Sequence, residues 1–140
     1  MSRILGIDWG ERRIGLAISD PSGLIASGRP TFENQKSSDF LAYLKKLIPE
    51  ENISLIVLGF PKNMDGTVGF KGKEVLVFKE SLEKEINLPI TLWDERLSTV
   101  SALKSLREGE VKWRKRKKMV DRVSAIFILQ SYLDSLPGKK

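Results

Sequence analysis

The first third of the chain carries the feature that most restricts the fold. Three strand-like segments follow one another with only short turn sequences between them, and they cover residues 3–7, 13–19 and 24–28. Residues that favour turns stand at Gly10, at 20–23 (DPSG) and at 28–30 (GRP). Because connections this short join antiparallel neighbours, we expect a three-stranded antiparallel meander.

The rest of the chain alternates between helical and strand patterns. Strands are expected at 53–58 and 89–93, a loop at 59–72, and helices at 39–48, 74–86, 98–109 and 120–136. Ser37 or Ser38 can cap the first helix, Pro49 limits its extension, and Ser98 can cap the third. The apolar, β-branched run at 53–58 suits a buried central strand, and the last helix, apolar on most faces, should be buried.

This order of elements predicts one α/β domain over residues 1–140. The strand–helix–strand units imply right-handed crossovers and parallel pairing, so the sheet is mixed and helices pack on it. The chain has 140 residues, which is enough for one hydrophobic core and too few for two.

The composition excludes several kinds of chemistry. The chain contains no Cys and no His, so disulfides, thiolate nucleophiles, His general bases and His-ligated metals are excluded. Catalysis must rely on carboxylates, hydroxyls, Lys and Arg. Since carboxylates prefer hard cations, a metal cofactor would be Mg²⁺ or Mn²⁺.

Positive charge is concentrated at residues 112–118 (KWRKRKK), expected as a loop. The chain has 24 Lys and Arg against 18 Asp and Glu, and without the six basic residues here the two signs balance. One interpretation is a solvated loop that keeps the protein soluble. We favour a nucleic-acid contact in which Trp113 stacks on a base and the cations bind phosphates; these are Lys112, Arg114, Lys115, Arg116, Lys117 and Lys118.

Two acidic positions follow strand patterns. Asp8 ends the first strand, where a carboxylate is costly unless a cation or hydrogen-bond donors accompany it. It can bind a ligand at the carboxyl end of the sheet, or bond its own turn. Asp94 and Glu95 follow the strand at 89–93, where one can bind a metal; alternatively Asp94 caps a helix and Glu95 pairs with Arg96.

A third acidic position lies near the start of the last helix. Asp121 shares a helix face with Ser124, Ala125 and Ile128, which points it inward. The alternative is an acid stabilised by the helix dipole in the first turn. Taken together, three converging acids require cations to stay ionised, and divalent cations would make a phosphoryl-transfer site.

Four motifs, in order, resemble those of the YqgF proteins, also called the RuvX family. They are residues 8–17 (DWGERRIGLA), 59–66 (GFPKNMDG), 94–99 (DERLST) and 121–125 (DRVSA) with the helix that follows. The resemblance covers nearly the whole chain. It implies an RNase H-like fold and a metal-dependent nuclease whose catalytic, metal-binding acids are Asp8, Glu95 and Asp121, with Asp94 as the alternate to Glu95.

The resemblance also suggests roles for residues near these acids. Arg12 and Arg96 can offset the acidic cluster or hold the scissile phosphate. In the loop at 61–66, glycines and Asn63 let backbone N–H groups approach a nucleic-acid backbone, or they simply form a tight turn.

The resemblance implies 5′-end maturation of pre-16S rRNA, on free RNA or in a ribosomal particle. Alternatives are a Holliday junction resolvase on branched DNA, a non-catalytic assembly factor, and an actin-like or sugar-kinase ATPase; the last needs two such domains. A resolvase must be dimeric to cut two symmetric strands. We expect a cytoplasmic protein without membrane contact, since no signal peptide is apparent, and a monomer or weak dimer.

Overall fold

The structure, a computed structural model, describes residues 2–34, 37–97 and 114–137; the side chains of 37, 38 and 114–122 fall outside the description. Five strands and three α-helices occupy these ranges. In chain order they are β1 (Arg3–Asp8), β2 (Arg13–Ser19), β3 (Ala26–Glu33), α1 (Ser37–Glu50), β4 (Ile53–Phe60), α2 (Phe70–Glu85), β5 (Ile90–Asp94) and α3 (Arg114–Ser135). A short 3₁₀ turn, Glu95–Leu97, follows β5.

The strands form one mixed sheet in the order β3-β2-β1-β4-β5. β1 and β2 pair antiparallel, as do β2 and β3, which confirms the meander. β4 pairs parallel with β1 on one side and with β5 on the other, which confirms the parallel half of the sheet. The carboxyl ends of β1, β4 and β5 therefore lie along the same edge.

Helices cover both faces of the sheet. On one face, Leu5 and Ile7 of β1 pack in a core with α1 and α2; on the other, Val57 of β4 packs with Ile128 and Leu129 of α3. The alternation of side chains along each strand produces this division. Gly6, between Leu5 and Ile7, faces α3 so closely that a Cβ there would stand 2.8 Å from Leu129 Cβ.

The third strand differs from its prediction. Residues 28–30, expected as a turn, lie inside β3, which runs from Ala26 to Glu33. β3 is an edge strand, and its register with β2 shifts between Ile14 and Leu16, which pair with Phe32 and Arg29. A bulge at the sheet edge tolerates Pro30, which lacks a backbone N–H to donate.

Two helices begin earlier than expected. α2 starts at Phe70 and includes Gly72, a residue expected in the loop. Gly72 is closely packed, since a Cβ there would stand 2.7 Å from Val68 Cγ1 and 2.9 Å from the Pro61 carbonyl oxygen. α3 starts at Arg114, so the basic residues from 114 onward are helical and not a loop. Lys and Arg are good helix formers, and their mutual repulsion does not prevent helix formation.

Other boundaries shift by smaller amounts. α1 continues to Glu50, with Pro49 in its last turn. Over its described side chains, residues 123–135, α3 is buried along one face, and Phe127 on the outer side is 39 % exposed. The helix expected at 98–109 lies outside the described residues. Among the helices that the structure does describe, none has the length and apolar character needed to cross a membrane.

Candidate active site at the carboxyl edge of the sheet

Asp8 ends β1 and is buried, with only 5 % of its surface exposed. Gly6, two residues earlier, faces α3, so the pleat directs Asp8 to the same face. Ile7 pairs with Leu58 in β4, which places Asp8 beside Gly59 at the carboxyl edge. A buried carboxylate thus stands where ligands bind in sheets of this kind.

Glu95 is the first residue of the 3₁₀ turn after β5 and is 3 % exposed. Its carboxylate lies over β4: a Cβ on Gly59 would stand 3.0 Å from Glu95 Oε2 and 2.5 Å from Ile128 Cδ1. The absence of a side chain at Gly59 therefore leaves room for Glu95 between the sheet and α3.

Asp8 and Glu95 together form what we call the acidic edge. Both lie on the α3 side of the sheet, and Glu95 reaches over the strand next to β1; neighbouring strands are about 4.8 Å apart. Two buried carboxylates on the same face and edge of the sheet are hard oxygen donors that suit Mg²⁺ or Mn²⁺. Among the side chains that the structure describes, no group of three acids could hold a metal ion. The third predicted ligand, Asp121, lies outside that set.

Asp94 has a different environment from its neighbour Glu95. Its Oδ2 accepts hydrogen bonds from Arg96 Nη2 at 2.8 Å and Nε at 3.1 Å, and its Oδ1 accepts from the Arg96 backbone N–H at 2.9 Å. The hydrogen bonds from the Arg96 side chain are the main reason that the pKa of Asp94 lies below its usual value. Asp94 therefore serves to hold Arg96.

Arg96 connects this acid to the loop at 61–69. Its Nη1 donates to the Met64 carbonyl at 3.5 Å, and the side chain lies close to Gly66, whose φ is +89°. Hydrogen bonds from Thr67 are the main reason that the pKa of Asp65 lies below its usual value, and the charge of Arg96 adds to the effect.

The loop is held by its own side chains. Asn63 Nδ2 donates to Thr67 Oγ1 at 2.9 Å, and Asp65 Oδ1 accepts from the Thr67 hydroxyl at 2.6 Å. The backbone N–H of Asn63 donates to the Thr67 carbonyl at 2.9 Å. In this structure Asn63 therefore organises a tight turn, and its predicted contact with nucleic acid stays a prediction.

The other predicted site residues are only partly described. Asp121 is the eighth residue of α3, two turns from its start, so stabilisation of a first-turn acid by the helix dipole does not apply. Arg12 is exposed in the β1–β2 connection. Arg114, Lys115, Arg116, Lys117 and Lys118 begin α3 with their side chains outside the description, and Lys112 and Trp113 lie wholly outside it.

Two residues near the edge were not singled out from the sequence. Lys62 carries a positive charge that contributes to the lowered pKa of Asp94, and its Nζ lies 5.7 Å from the centroid of the Phe60 ring. Ser124 on α3 is fully buried, and its Oγ has no hydrogen-bond partner. The signal for Ser124 was available, since it shares the inward face of the helix with Ile128.

The sheet order and the helices on both faces define an RNase H-like α/β protein, with acids at the carboxyl edge of its sheet. Solved structures share this fold: RuvC of T. thermophilus in complex with a Holliday junction substrate matches with a TM-score of 0.57 at 12 % identity, over 96 % of each chain. The fowlpox virus resolvase with Holliday junction DNA matches with a TM-score of 0.54 at 14 % identity, over 96 % of this chain and 99 % of that one.

The chain belongs to the family described as RuvX: Holliday junction resolvase, whose model matches residues 2–135. Similar curated proteins come from Clostridium acetobutylicum and Clostridium novyi. Each is 46 % identical over 134 residues, covering 96 % of this chain and 99 % of its own length. Both are named "Putative pre-16S rRNA nuclease".

Proposed function

We propose that this protein is a divalent-metal-dependent nuclease that hydrolyses phosphodiester bonds in 5′-end maturation of pre-16S rRNA. The observation that carries the proposal is the acidic edge, where a buried carboxylate at the end of β1 and another just after β5 lie on the same face of the sheet. The names of the Clostridium relatives support rRNA as the substrate.

In this proposal Asp8, Glu95 and Asp121 hold the cations. Bound divalent cations supply an activated water and stabilise the leaving oxygen, so no His is needed. Asp8 lies on the central strand and would hold the cations together with Glu95 and Asp121. Glu95 is preferred to Asp94, because Glu95 is buried and its carboxylate lies on the α3 side of the sheet, as Asp8 does.

The chain's cations bind the substrate backbone. Residues 112–118 supply six of the chain's 24 basic residues, and those from Arg114 onward belong to α3; Arg12 adds a charge in the β1–β2 connection. Arg96 follows Glu95 in the chain and can contact the scissile phosphate while it stays hydrogen-bonded to Asp94. Asn63 shapes the loop whose backbone approaches the nucleic acid. A nuclease of ribosomal RNA would work in the cytoplasm, as a monomer or weak dimer.

The second candidate is a Holliday junction resolvase. The similarity in fold to RuvC and the description of the family model favour it. The same acids would act, but a resolvase requires a dimer with two sites. A stable monomer would therefore contradict this candidate.

The deciding experiment compares wild type with Asp8→Asn on matched pre-16S rRNA and four-way DNA substrates, with Mg²⁺ or Mn²⁺. We expect metal-dependent cleavage of RNA that is absent in Asp8→Asn, although the variant keeps its circular dichroism spectrum. Paired symmetric nicks in the junction would favour the resolvase. Binding without cleavage of either substrate, including rRNA in a ribosomal particle, would favour a non-catalytic assembly factor.

A further inference from the structure

Ser124 is a hydroxyl group buried without a hydrogen-bond partner. It is 0 % exposed, and its Oγ bonds neither the backbone of its own helix nor another side chain. A buried polar group in this state destabilises the folded protein, and such groups in native structures call for an explanation.

The next hydroxyl along this helix shows that partners are available on the same face. Ser131 lies seven residues, or two turns, after Ser124. Its Oγ accepts a hydrogen bond from Trp93 Nε1 at 3.0 Å and donates to the Leu97 carbonyl at 3.2 Å. Ser124 therefore lacks a hydrogen-bond partner because of where it lies along α3, since the same face supplies partners to Ser131.

That position adjoins the acidic edge. Ser124 lies one helical turn before Ile128, whose Cδ1 contacts Gly59 at the place where the Glu95 carboxylate also lies. Helical side chains lean toward the N-terminus of their helix, so Ile128 reaches back toward Ser124. Ser124 is therefore one turn from the residue of α3 that packs, with the Glu95 carboxylate, against the end of β4.

We propose that Ser124 is a positioning residue whose hydroxyl donates a hydrogen bond to the Glu95 carboxylate when that carboxylate binds a divalent cation. The inference rests on the proposed function, because it requires a cation at the acidic edge. A carboxylate that gives one oxygen to a cation keeps lone pairs for a donor, and such a donor fixes its orientation. The hydroxyl then has a hydrogen-bond partner in the metal-bound protein.

The test measures Mn²⁺ binding by calorimetric titration of the full chain, together with Tm in the presence of a chelator. Four proteins are compared: wild type, Ser124→Ala, Ser131→Ala and Asp8→Asn. For Ser124→Ala we expect Mn²⁺ affinity to fall about tenfold or more, with a Tm in chelator that is no lower than wild type. Ser131→Ala should show the reverse, a lower Tm with unchanged Mn²⁺ affinity, because it loses two existing hydrogen bonds.

The outcomes separate this inference from the proposed function. If Ser124→Ala binds Mn²⁺ as wild type does while Asp8→Asn does not, the role of Ser124 is overturned and the metal site stands. If Ser124→Ala lowers Tm in chelator, the hydroxyl has a structural partner and the inference fails. If wild type itself binds no Mn²⁺, both the inference and the proposed metal site fail.

Discussion

Glu95 places its carboxylate in the space that a side chain on Gly59 would need, with Oε2 only 3.0 Å from the position of that missing Cβ. The glycine lies near the end of β4, between the strand that carries Asp8 and the strand that precedes Glu95. Because Gly59 has no side chain, the carboxylate of Glu95, which follows β5, can extend across β4 toward β1. The relationship links the close packing of α3 on the sheet to the geometry of the acidic edge.

Gly59→Ala should therefore disturb the site directly. The added methyl group must displace Glu95 or Ile128, and overpacking of this kind costs about 1–3 kcal/mol of stability. We also expect Mn²⁺ affinity to fall about 10- to 100-fold, as when the support of a metal ligand is lost. Urea unfolding and Mn²⁺ titration measure the two effects.

Gly6→Ala is the matched control, because its Cβ would overlap Leu129 of the same helix without lying against Glu95. It should lose stability while the folded fraction keeps most of its Mn²⁺ affinity. Equal losses of Mn²⁺ affinity in the two variants would show that Gly59 acts only through packing.

Glu95→Gln and Asp94→Asn should separate two neighbouring acids. We expect Glu95→Gln to reduce cleavage to background, because it removes a charged ligand. Asp94→Asn should keep metal binding and lose about 1 kcal/mol or less of stability, since it weakens a partly exposed ion pair with Arg96. Single-turnover cleavage and Mn²⁺ titration of both variants test this assignment. If Asp94→Asn loses Mn²⁺ binding and Glu95→Gln keeps it, Asp94 is the metal ligand and Glu95 is not.

The ion pair of Asp94 should appear in the pH dependence of stability. The pKa of Asp94 is lowered in the folded protein, mainly by hydrogen bonds from Arg96, so the unfolded state takes up the proton first as pH falls. Its contribution is present above the unfolded pKa, about 3.9, and is lost as pH falls through the folded value. The difference in urea midpoint between wild type and Asp94→Asn, measured with chelator, should therefore shrink toward zero below about pH 4. A difference that persists in acid would mean that the Asp94 charge is not its source.

Neutralising the basic start of α3 should weaken substrate binding in a salt-dependent manner. Changing Lys115, Arg116, Lys117 and Lys118 to Gln removes four charges while keeping good helix formers. If all four contact RNA phosphates, the slope of log K against log salt should become shallower by about 3. Fluorescence anisotropy at several salt concentrations gives the slope. An unchanged slope would show that these residues do not bind the backbone.

Much of this protein could be predicted from its sequence. The short turns between the first three strands predict the antiparallel meander, and the apolar run at 53–58 predicts a buried parallel strand inside the sheet. Both predictions depend on local signals, namely the number of residues in a turn and the pattern of side chains along a strand. The lack of His and Cys leaves carboxylates as the available ligands, and the positions of Asp8 and Glu95 at strand ends already place both at one edge of the sheet.

Only the tertiary structure decided the finer points. The pleat and the 3₁₀ turn after β5 direct Glu95 toward α3 and leave Asp94 bonded to Arg96, a distinction that two adjacent acids in a sequence do not reveal. Pro30 lies within a strand because β3 is at the sheet edge and bulged against β2, and Gly72 lies within a helix whose first turn packs against Phe60 and Pro61 at the end of β4. In each case the deciding energy comes from contacts between residues of different elements, so local propensity alone does not determine the result.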